Sequence, residues 1–183
     1  SFGDNLLTNP GAEDGVMGWT SELGMLESLS AGECGGTDPH SGMRYFAPGG
    51  LCDAVAVGRA VQLVNVTEHA VEIDAGQANV LFQAWLRTWS GNDRPEARLV
   101  FLGGEGEELG TSPTLTSVAA VWTLEAEEVR LPVGTRRISY QITGTRNRGS
   151  DNDAYLDDLS LRIRFGEDVS CIPPEPSEPP VSP

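Results

Sequence analysis

Lysine is absent from this chain of 183 residues: the twelve basic residues are all arginine, and 27 acidic residues outnumber them to give a net charge of −15. A surface this acidic lacks the positive footprint that binds nucleic acid, and it also argues against binding to anionic membranes. Without lysine the chain has no P-loop, in which a lysine contacts nucleotide phosphates. The composition instead suits a secreted protein whose carboxylates can collect cations.

Long apolar segments and catalytic motifs are scarce as well. No run approaches the length of a membrane span, so we expect no membrane insertion, and the start of the chain does not resemble a signal peptide. The two histidines are His40 and His69, and neither an HExxH motif nor a GxSxG nucleophile elbow is present. A glycosidase needs two carboxylates opposed across a cleft, and the sequence offers no means of pairing them. We therefore expect a protein without enzymatic activity.

Cysteine is sparse, with three residues. Cys34 and Cys52 flank a loop-rich segment, and a disulfide between them would add about 3 kcal/mol to the stability in the chain-entropy model. Metal binding is the competing interpretation, but no CxxC or histidine-rich spacing indicates zinc. Cys171 is left over, and a bridge from it to Cys34 or Cys52 stays open. Disulfide pairing favours an oxidising environment, so we expect the protein to be secreted or at the cell surface.

Proline concentrates at one end of the chain, where it makes up six of the thirteen residues 171–183. This composition predicts an extended linker and not a packed element. Residues 1–165 are thus predicted to form one folded module, and residues 166–183 a linker to further domains. The folded part is long enough for a hydrophobic core, and we expect it to be a monomer.

The folded part is predicted to be all-β. Short runs rich in Val, Leu, Ile, Phe and Trp are separated by turns rich in Gly, Pro, Asn and Asp, and no long stretch holds the 3.6-residue period of a helix. Many short strands with regular turns are typical of a sandwich or barrel. The predicted strands are residues 59–66, 79–89, 97–102, 121–129, 137–143 and 154–165.

Alternation in residues 154–165 places an acid where apolar side chains are expected. One face of this strand is apolar and must be the core face; its residues are Tyr155, Asp157, Leu159, Leu161 and Ile163. Asp158 is expected to face outwards. A lone buried carboxylate is costly unless it is paired or bound to a metal. Asp157 is therefore a candidate ligand for a cation.

Residues 79–89 show the opposite anomaly, because large aromatics occupy the outward face. The inward row is Val80, Phe82, Ala84 and Leu86, and the outward row is Gln83, Trp85, Arg87 and Trp89. Two tryptophans on a solvated strand face indicate a partner or a ligand. The alternative is that one or both pack beneath a loop, since tryptophan is highly buried on average. Trp19 and Trp122 are expected in the core.

Four segments resemble those of a known family and occur in its order. They are Asn5-Leu6-Leu7-Thr8-Asn9-Pro10-Gly11-Ala12-Glu13-Asp14-Gly15 with Gly18-Trp19, His40-Ser41-Gly42-Met43-Arg44-Tyr45-Phe46, Val61-Gln62-Leu63, and Ala154-Tyr155-Leu156-Asp157-Asp158-Leu159-Ser160-Leu161. Together they are similar to galactose-binding-like jelly-roll domains, in particular to bacterial carbohydrate-binding modules of the cellulose- and xylan-binding kind. The resemblance implies a β-sandwich of two antiparallel sheets.

The resemblance also implies a structural calcium ion near one edge of the sandwich. Its ligands would be the carbonyl groups of Gly11 and Ser41 and the side chains of Glu13, Asp38 and Asp157. Mixed carboxylate and carbonyl oxygens suit calcium better than zinc or magnesium. The alternative for Glu13 and Asp157 is hydrogen bonding to backbone N–H groups in turns.

Sugar-binding members of the family use aromatic side chains, which implies a function for this chain. A pyranose ring would stack on tryptophan while polar side chains bond to its hydroxyl groups. The implied ligand residues are Gln83, Trp85, Arg87 and Trp89, with Gln141 and Arg98 on neighbouring strands of the same face. We therefore predict a non-catalytic carbohydrate-binding module of a secreted multidomain protein, with a polysaccharide as its partner. The alternative is a structural or adhesive module that contacts protein and binds no sugar.

Overall fold

Within residues 1–166, which the computed structural model describes, eleven strands form two antiparallel sheets. The strands are β1 (Thr20–Leu23), β2 (Glu27–Ser30), β3 (Arg44–Ala47), β4 (Val57–Asn65), β5 (Ala78–Arg87), β6 (Arg94–Leu102), β7 (Glu108–Thr111), β8 (Leu115–Thr116), β9 (Thr123–Arg130), β10 (Arg137–Thr145) and β11 (Tyr155–Phe165). Helix α1 (Ala70–Asp74) follows β4, and short 3₁₀ turns occur at Glu33–Gly35 and Thr67–His69. No helix in this part of the chain is both long and apolar enough to cross a membrane. The predicted linker, residues 166–183, lies outside the described residues apart from Gly166.

The strand order is that of a sandwich whose chain crosses repeatedly between the sheets. One sheet, the β10 sheet, has the order β1-β4-β10-β6-β7, with β8 also paired to β6. The other, the β11 sheet, has the order β2-β3-β11-β5-β9. Neighbours that are distant in sequence are typical of a jelly roll. The predicted all-β sandwich is confirmed, and each predicted strand is present with ends shifted by three residues or fewer.

The core lies between the inner faces of the two sheets. The inward row of β5 is fully buried, as alternation predicts, and consists of Val80, Phe82, Ala84 and Leu86. Trp19 is also in the core, where its ring packs edge-on against Phe46 and Tyr140 with centroids 5.4 and 6.0 Å away. These contacts join residues from both sheets, so the first turn of the chain is fixed to the centre of the sandwich.

A second apolar cluster lies on the outer side of the β11 sheet. It consists of Leu29, Tyr45, Ala47, Leu51 and Tyr155, with Trp122 packed against it. Cys34 and Cys52 form a disulfide beside it, with their Cα atoms 5.3 Å apart. Of the pairings that the sequence left open, this one is therefore confirmed.

A β-bulge in β11 changes the side of the sheet that its side chains face. The register with β5 shifts between Asp157 and Ser160, where three residue steps in β11 match two in β5, and Asp158 has a φ of 45°. Beyond the bulge the predicted faces hold. Before it, Leu156 faces the core, whereas Tyr155 and Asp157 face the outer side. The prediction that Tyr155 and Asp157 lie on the core face is therefore wrong, because strict alternation does not allow for an inserted residue.

Candidate functional site

The opening segment of the chain meets the bulge of β11. The side-chain amide of Asn5 donates to the carbonyl of Leu159 (2.9 Å), and the N–H of Leu159 donates to the carbonyl of Pro10 (3.0 Å). These bonds hold the opening turn, including Gly11, beside Asp157. Two segments that are far apart in sequence thus form one corner of the sandwich.

Asp157 is fully buried at this corner, and backbone N–H groups bond to its carboxylate. Oδ2 accepts from the N–H groups of His40 (2.9 Å) and Ser41 (3.3 Å), and Oδ1 accepts from that of Asp158 (2.8 Å). Burial, followed by the neighbouring charge of Asp158, raises the pKa of Asp157 to about 7. The described partners of Asp157 are thus backbone donors, which is the alternative that the sequence left open.

Asp158 ties the loop of residues 36–43 to the bulge, a role that the sequence did not indicate. Its Oδ2 accepts a hydrogen bond from Oγ of Ser41 (2.5 Å) and lies 2.6 Å from Nδ1 of His40. In the described hydrogen bonds, Ser41 and His40 both contact this carboxylate and not each other. In nucleophilic catalysis the serine hydroxyl bonds to the histidine ring, and that contact is not among those described here. The contacts of Asp158 therefore anchor the loop.

Four of the five predicted calcium ligands come together here, and with Asp158 they make up the Gly11 corner: Gly11, Glu13, Ser41, Asp157 and Asp158. A Cβ on Gly11 would lie 3.2 Å from Oδ1 of Asp158 and 3.7 Å from Oδ1 of Asp157, so the turn backbone lies against both carboxylates. The carboxylate of Glu13 accepts from the N–H groups of residues 43 (2.9 Å) and 44 (3.1 Å). Carboxylate oxygens are among the ligands that calcium takes.

The fifth predicted ligand, Asp38, does not join them. Asp38 is exposed, its carbonyl accepts a hydrogen bond from the indole N–H of Trp122 (3.0 Å), and no described contact brings its carboxylate to the Gly11 corner. In residues 1–166, no three His, Cys, Asp or Glu side chains are grouped so that they could hold a metal ion. Any ion at the Gly11 corner would therefore depend on two carboxylates and on backbone oxygens.

Trp85 points outwards from β5, as alternation predicts, but its ring is covered. His40 stacks on it with ring centroids 3.7 Å apart and an angle of 17° between the planes. The ring of Trp122 meets His40 edge-on with centroids 6.2 Å apart. A sugar ring cannot stack on the face that His40 occupies, so in this conformation Trp85 packs beneath a loop.

The other predicted sugar contacts of β5 have different surroundings. Trp89 lies beyond the end of the strand and is 52% exposed. Arg87 donates to the carbonyl of Ala120 (2.7 Å), and its guanidinium carbon lies 5.9 Å from the centroid of Trp122. Gln83 is half-buried on the same outer face. Trp89 is therefore the open aromatic side chain of this predicted row.

Gln141 and Arg98 lie on the opposite face of the molecule from Trp85. They are partners in register on β10 and β6, on the outer face of the β10 sheet, whereas Trp85 belongs to the β11 sheet. The prediction that they share a face with Trp85 is therefore wrong, because the thickness of the whole sandwich separates the two outer faces. The predicted sugar-binding residues do not form one site.

A polar cleft of about 200 Å³ lies on this outer face of the β10 sheet. Its lining residues are Arg59, Glu96, Arg98, Thr114, Gln141 and Thr143. β10 forms the floor and β4 and β6 form the sides, since Thr143 pairs in register with both Arg59 and Glu96. Nε of Arg98 donates to Oε1 of Gln141 (3.1 Å).

The two arginines of the cleft differ in their charged neighbours. Nε of Arg59 lies 3.1 Å from Oε2 of Glu22, so Arg59 is ion-paired. Arg98 is held by the neutral amide of Gln141 and forms no ion pair with any described residue. The cleft therefore contains one arginine whose charge has no opposite charge within salt-bridge distance.

Sequence reasoning missed Asp158, His40 and most of the cleft. The tandem Asp157-Asp158 interrupts the alternation of leucines in β11, and this interruption is a signal from which the bulge could have been predicted. The outward row of β10 was readable, but no signal in the sequence shows that β4 and β6 flank it. The cleft depends on that strand order.

Comparisons with known proteins identify the fold of this chain. No family model and no curated protein sequence matches it. Among solved structures, a family 16 carbohydrate-binding module matches with a TM-score of 0.59 at 16% identity, over 86% of this chain and 99% of that one. The CBM22-1 xylan-binding domain from Paenibacillus barcinonensis Xyn10C matches with a TM-score of 0.53 at 13% identity, over 90% of this chain and 97% of that one.

Enzymes share the fold as well. A Stig cyclase from Fischerella sp. TAU matches with a TM-score of 0.61 at 9% identity, over 91% of this chain and 100% of that one. The enzymatically active domain of bacteriophage CBA120 tailspike protein 4 matches at a TM-score of 0.60 and 10% identity over 86% of this chain, which spans 21% of that protein. At such identities the likeness concerns the fold and not the ligand. The chain has the β-sandwich fold of carbohydrate-binding modules, as the sequence resemblance predicts.

Proposed function

We propose that this module binds glycans without catalysis and that the cleft on the β10 sheet is the binding site. The observation that carries the proposal is the cleft itself, in which polar side chains from three adjacent strands converge on an outer sheet face. The fold supports it, because solved carbohydrate-binding modules share this architecture.

The chemistry of the lining residues suits sugar hydroxyl groups, which both donate and accept hydrogen bonds. The bond between Arg98 and Gln141 uses one atom of each side chain, so further N–H donors of both groups have no partner among the described hydrogen bonds. The carboxylate of Glu96 accepts, and the threonine hydroxyls do both. No aromatic ring is among the lining residues. Binding would therefore rest on hydrogen bonds, which favours a single soluble glycan chain over a flat crystalline surface.

Two other possibilities are outcomes of the same test. A tryptophan platform on the β11 sheet would require His40 to leave the ring of Trp85, with which it stacks. A structural or adhesive module would bind no glycan at all. The first is supported by the open ring of Trp89 and the second by the fold alone, since relatives in fold have different functions.

The experiment compares retention of the wild-type module on a panel of soluble and insoluble polysaccharides with that of two matched variants. Gln141→Ala removes a half-buried glutamine from the cleft, and Gln83→Ala removes one from the outer face of the β11 sheet. We expect Gln141→Ala to weaken binding about fivefold to tenfold, the loss of one or two hydrogen bonds. Gln83→Ala should leave it unchanged.

If Gln83→Ala weakens binding and Gln141→Ala does not, the binding site lies on the β11 sheet instead. If the wild-type module is retained on no polysaccharide while it is folded by circular dichroism, glycan binding is wrong and the structural module takes its place.

We also propose a structural calcium ion at the Gly11 corner, held by Asp157, Asp158 and backbone oxygens near Gly11, with Glu13 and Ser41 beside it. Support comes from the close approach of the Gly11 backbone to two carboxylates. A bound cation would offset the repulsion between these adjacent acids, one of which is buried. Its contribution would be to stability and not to chemistry.

Calcium titration of EDTA-treated protein tests this second proposal. Wild-type protein should gain melting temperature as calcium is added, because an ion that binds the folded state stabilises it by mass action. Asp157→Asn should abolish the gain, and Asp53→Asn, which alters an exposed acid elsewhere, should not. A melting temperature that calcium does not change in the wild type would contradict the proposal.

Finally, we propose that the module is secreted or at the cell surface and is joined by residues 166–183 to other domains. The disulfide between Cys34 and Cys52 supports an oxidising environment. Detection of the intact protein in the culture medium or the cell-surface fraction of its source would test the location, and recovery from the cytosol alone would contradict it.

A further inference from the structure

We propose that the glycan bound in the cleft of the β10 sheet carries a uronic acid, whose carboxylate binds Arg98. The inference rests on the proposed function and adds the chemical class of the ligand to it. It starts from Arg98, an exposed arginine of the cleft that has no ion-pair partner among the described residues.

Four of the twelve arginines lie on the outer face of the β10 sheet. In a chain with 27 acids and 12 arginines, the outward positions of β4, β6 and β10 carry Arg59, Arg94, Arg98 and Arg137. Glu96 is the one acid on the same rows. Of the flanking strands, β1 supplies Glu22, which pairs with Arg59, and β7 supplies Glu108, whose partner in register is Leu102. On the strands of this sheet, four outward arginines thus stand beside three glutamates, a smaller share of acids than in the whole chain.

Arg98 is the side chain that an acidic sugar would meet. Its Nε is bonded to Gln141, which orients the guanidinium group, and no described carboxylate neutralises it. Glu96 lines the same cleft, but the two side chains form no ion pair within 4.0 Å. Arginine presents further N–H groups in a fork that fits a carboxylate with two parallel bonds. Arg59 is less suited, because Glu22 already occupies it.

The net charge of −15 limits how acidic the glycan can be. A densely charged polymer such as polygalacturonate would be repelled by the acidic surface around the cleft, most strongly at low salt. A single uronate on an otherwise neutral chain can place its carboxylate at Arg98, and the rest of the glycan is not repelled by the acidic surface. The inferred ligand is thus a neutral polysaccharide with sparse uronic acid side groups.

The test compares glucuronoxylan with the same preparation after its carboxylates have been reduced to alcohols. The two polymers share their backbone and differ in the carboxylate, so their affinity ratio isolates that group. For the wild-type module we expect a ratio of about ten or more, the value of one charge-assisted bidentate contact. Polygalacturonate should bind more weakly than glucuronoxylan at low salt.

Two arginine variants locate the effect. Arg98→Gln should reduce the ratio to about one, as expected if the ion pair is lost, whereas Arg94→Gln should retain the wild-type ratio. Arg94 is an exposed arginine on the same face of β6 and does not line the cleft. Unchanged circular dichroism spectra and melting curves show that both variants are folded.

The outcomes separate this inference from the proposed function. Equal binding of the two polymers by the wild type would overturn the uronate inference and leave glycan binding intact. If the module is retained on neither polymer and on no other glycan of the panel, both the uronate inference and the proposed glycan binding are overturned. A ratio that Arg98→Gln leaves unchanged would overturn the assignment to Arg98.

Discussion

Trp85 is held at an outward position of β5 by contacts that take much of its ring out of water. His40 covers one face of the indole, and Asp158 holds His40 through Nδ1. Asp157 binds the backbone of the same loop. The ring therefore contributes to the attachment of the loop, and its size alone says little about ligand binding.

Trp85→Ala should destabilise the protein much more than Trp89→Ala, because the ring of Trp85 is packed beneath a loop and that of Trp89 is open. Trp85→Ala should lower the free energy of unfolding by about 2 kcal/mol, less than the roughly 3–5 kcal/mol for a fully buried tryptophan, because the ring is half-buried. Trp89→Ala should change it by less than about 0.5 kcal/mol, as is usual at the surface. Urea unfolding measures both. A neutral Trp85→Ala would mean that the loop does not depend on the stacked ring.

Asp74 and Arg136 provide a pH-dependent contribution to stability. Hydrogen bonds from Arg136 and from the N–H of Gly134 lower the pKa of Asp74 in the folded state. A lowered pKa means that the stabilisation is present above the unfolded pKa and is lost as pH falls through the folded value. Asp74→Asn should therefore lower the melting temperature at pH 7, and the difference from wild type should shrink below about pH 4.

Glu72→Gln, on the same helix, is the matched control for this measurement. The difference in melting temperature between Glu72→Gln and wild type should not shrink comparably from pH 7 to pH 3. A constant difference for Asp74→Asn over the same range would contradict the linkage to this carboxylate.

At the scale of elements, the bulge of β11 and the loop of residues 36–43 depend on each other. The bulge places Asp157 and Asp158 on the outer side of the sheet, where they bind this loop. The disulfide fixes Cys34, just before the loop, to Cys52, beyond β3. The loop is thus held at its start by a covalent bond and in its middle by hydrogen bonds.

Removal of the disulfide should cost the module stability. The cysteines are 18 residues apart, and the chain-entropy model gives about 3 kcal/mol for a ring of this size. We expect Cys34→Ser with Cys52→Ser to lower the free energy of unfolding by about that amount, measured in urea with Cys171→Ser in both proteins to exclude thiol exchange. A loss below about 1 kcal/mol would mean that the unfolded chain is already restricted around this loop, so that the disulfide removes little additional conformational entropy.

At the scale of the whole molecule, like charges dominate. The chain carries −15, and mutual repulsion of this size destabilises a compact state. Within this acidic surface, Arg98 of the proposed cleft has no carboxylate within salt-bridge distance among the described residues. A ligand with negative charge is therefore expected at one position and rejected at others.

Salt should raise the melting temperature of the module in EDTA. Raising sodium chloride from 10 to 300 mM shortens the screening length from about 30 Å to less than 8 Å, which weakens the repulsion more than the few partly exposed ion pairs. We expect a gain of about 2 °C or more, equivalent to roughly 1 kcal/mol in a protein of this size. A decrease would show that local ion pairs, such as Arg136 with Asp74, outweigh the net charge.

Local patterns in the sequence were sufficient for six of the eleven strands, for the all-β class and for the inward row of β5. The short strands β1, β2, β3, β7 and β8 were not predicted from these patterns. Alternation of apolar and polar residues is a property of each strand by itself, so Val80, Phe82, Ala84 and Leu86 could be assigned without knowledge of their neighbours. The acidic charge, the proline-rich end and the resemblance of four segments to carbohydrate-binding modules were likewise readable from the chain alone.

Tertiary structure decided everything that depends on which strands are neighbours and where a strand departs from regularity. The bulge reversed the faces of Tyr155 and Asp157, and the strand order put Gln141 and Arg98 on the sheet opposite Trp85. The stacking of His40 on Trp85 joins residues 45 positions apart (85 − 40). Because of it, the ring that was expected to stack on a sugar packs against a loop instead. Side-chain neighbours across a sandwich are set by pairing between distant segments, and a single sequence carries no local signal for that pairing.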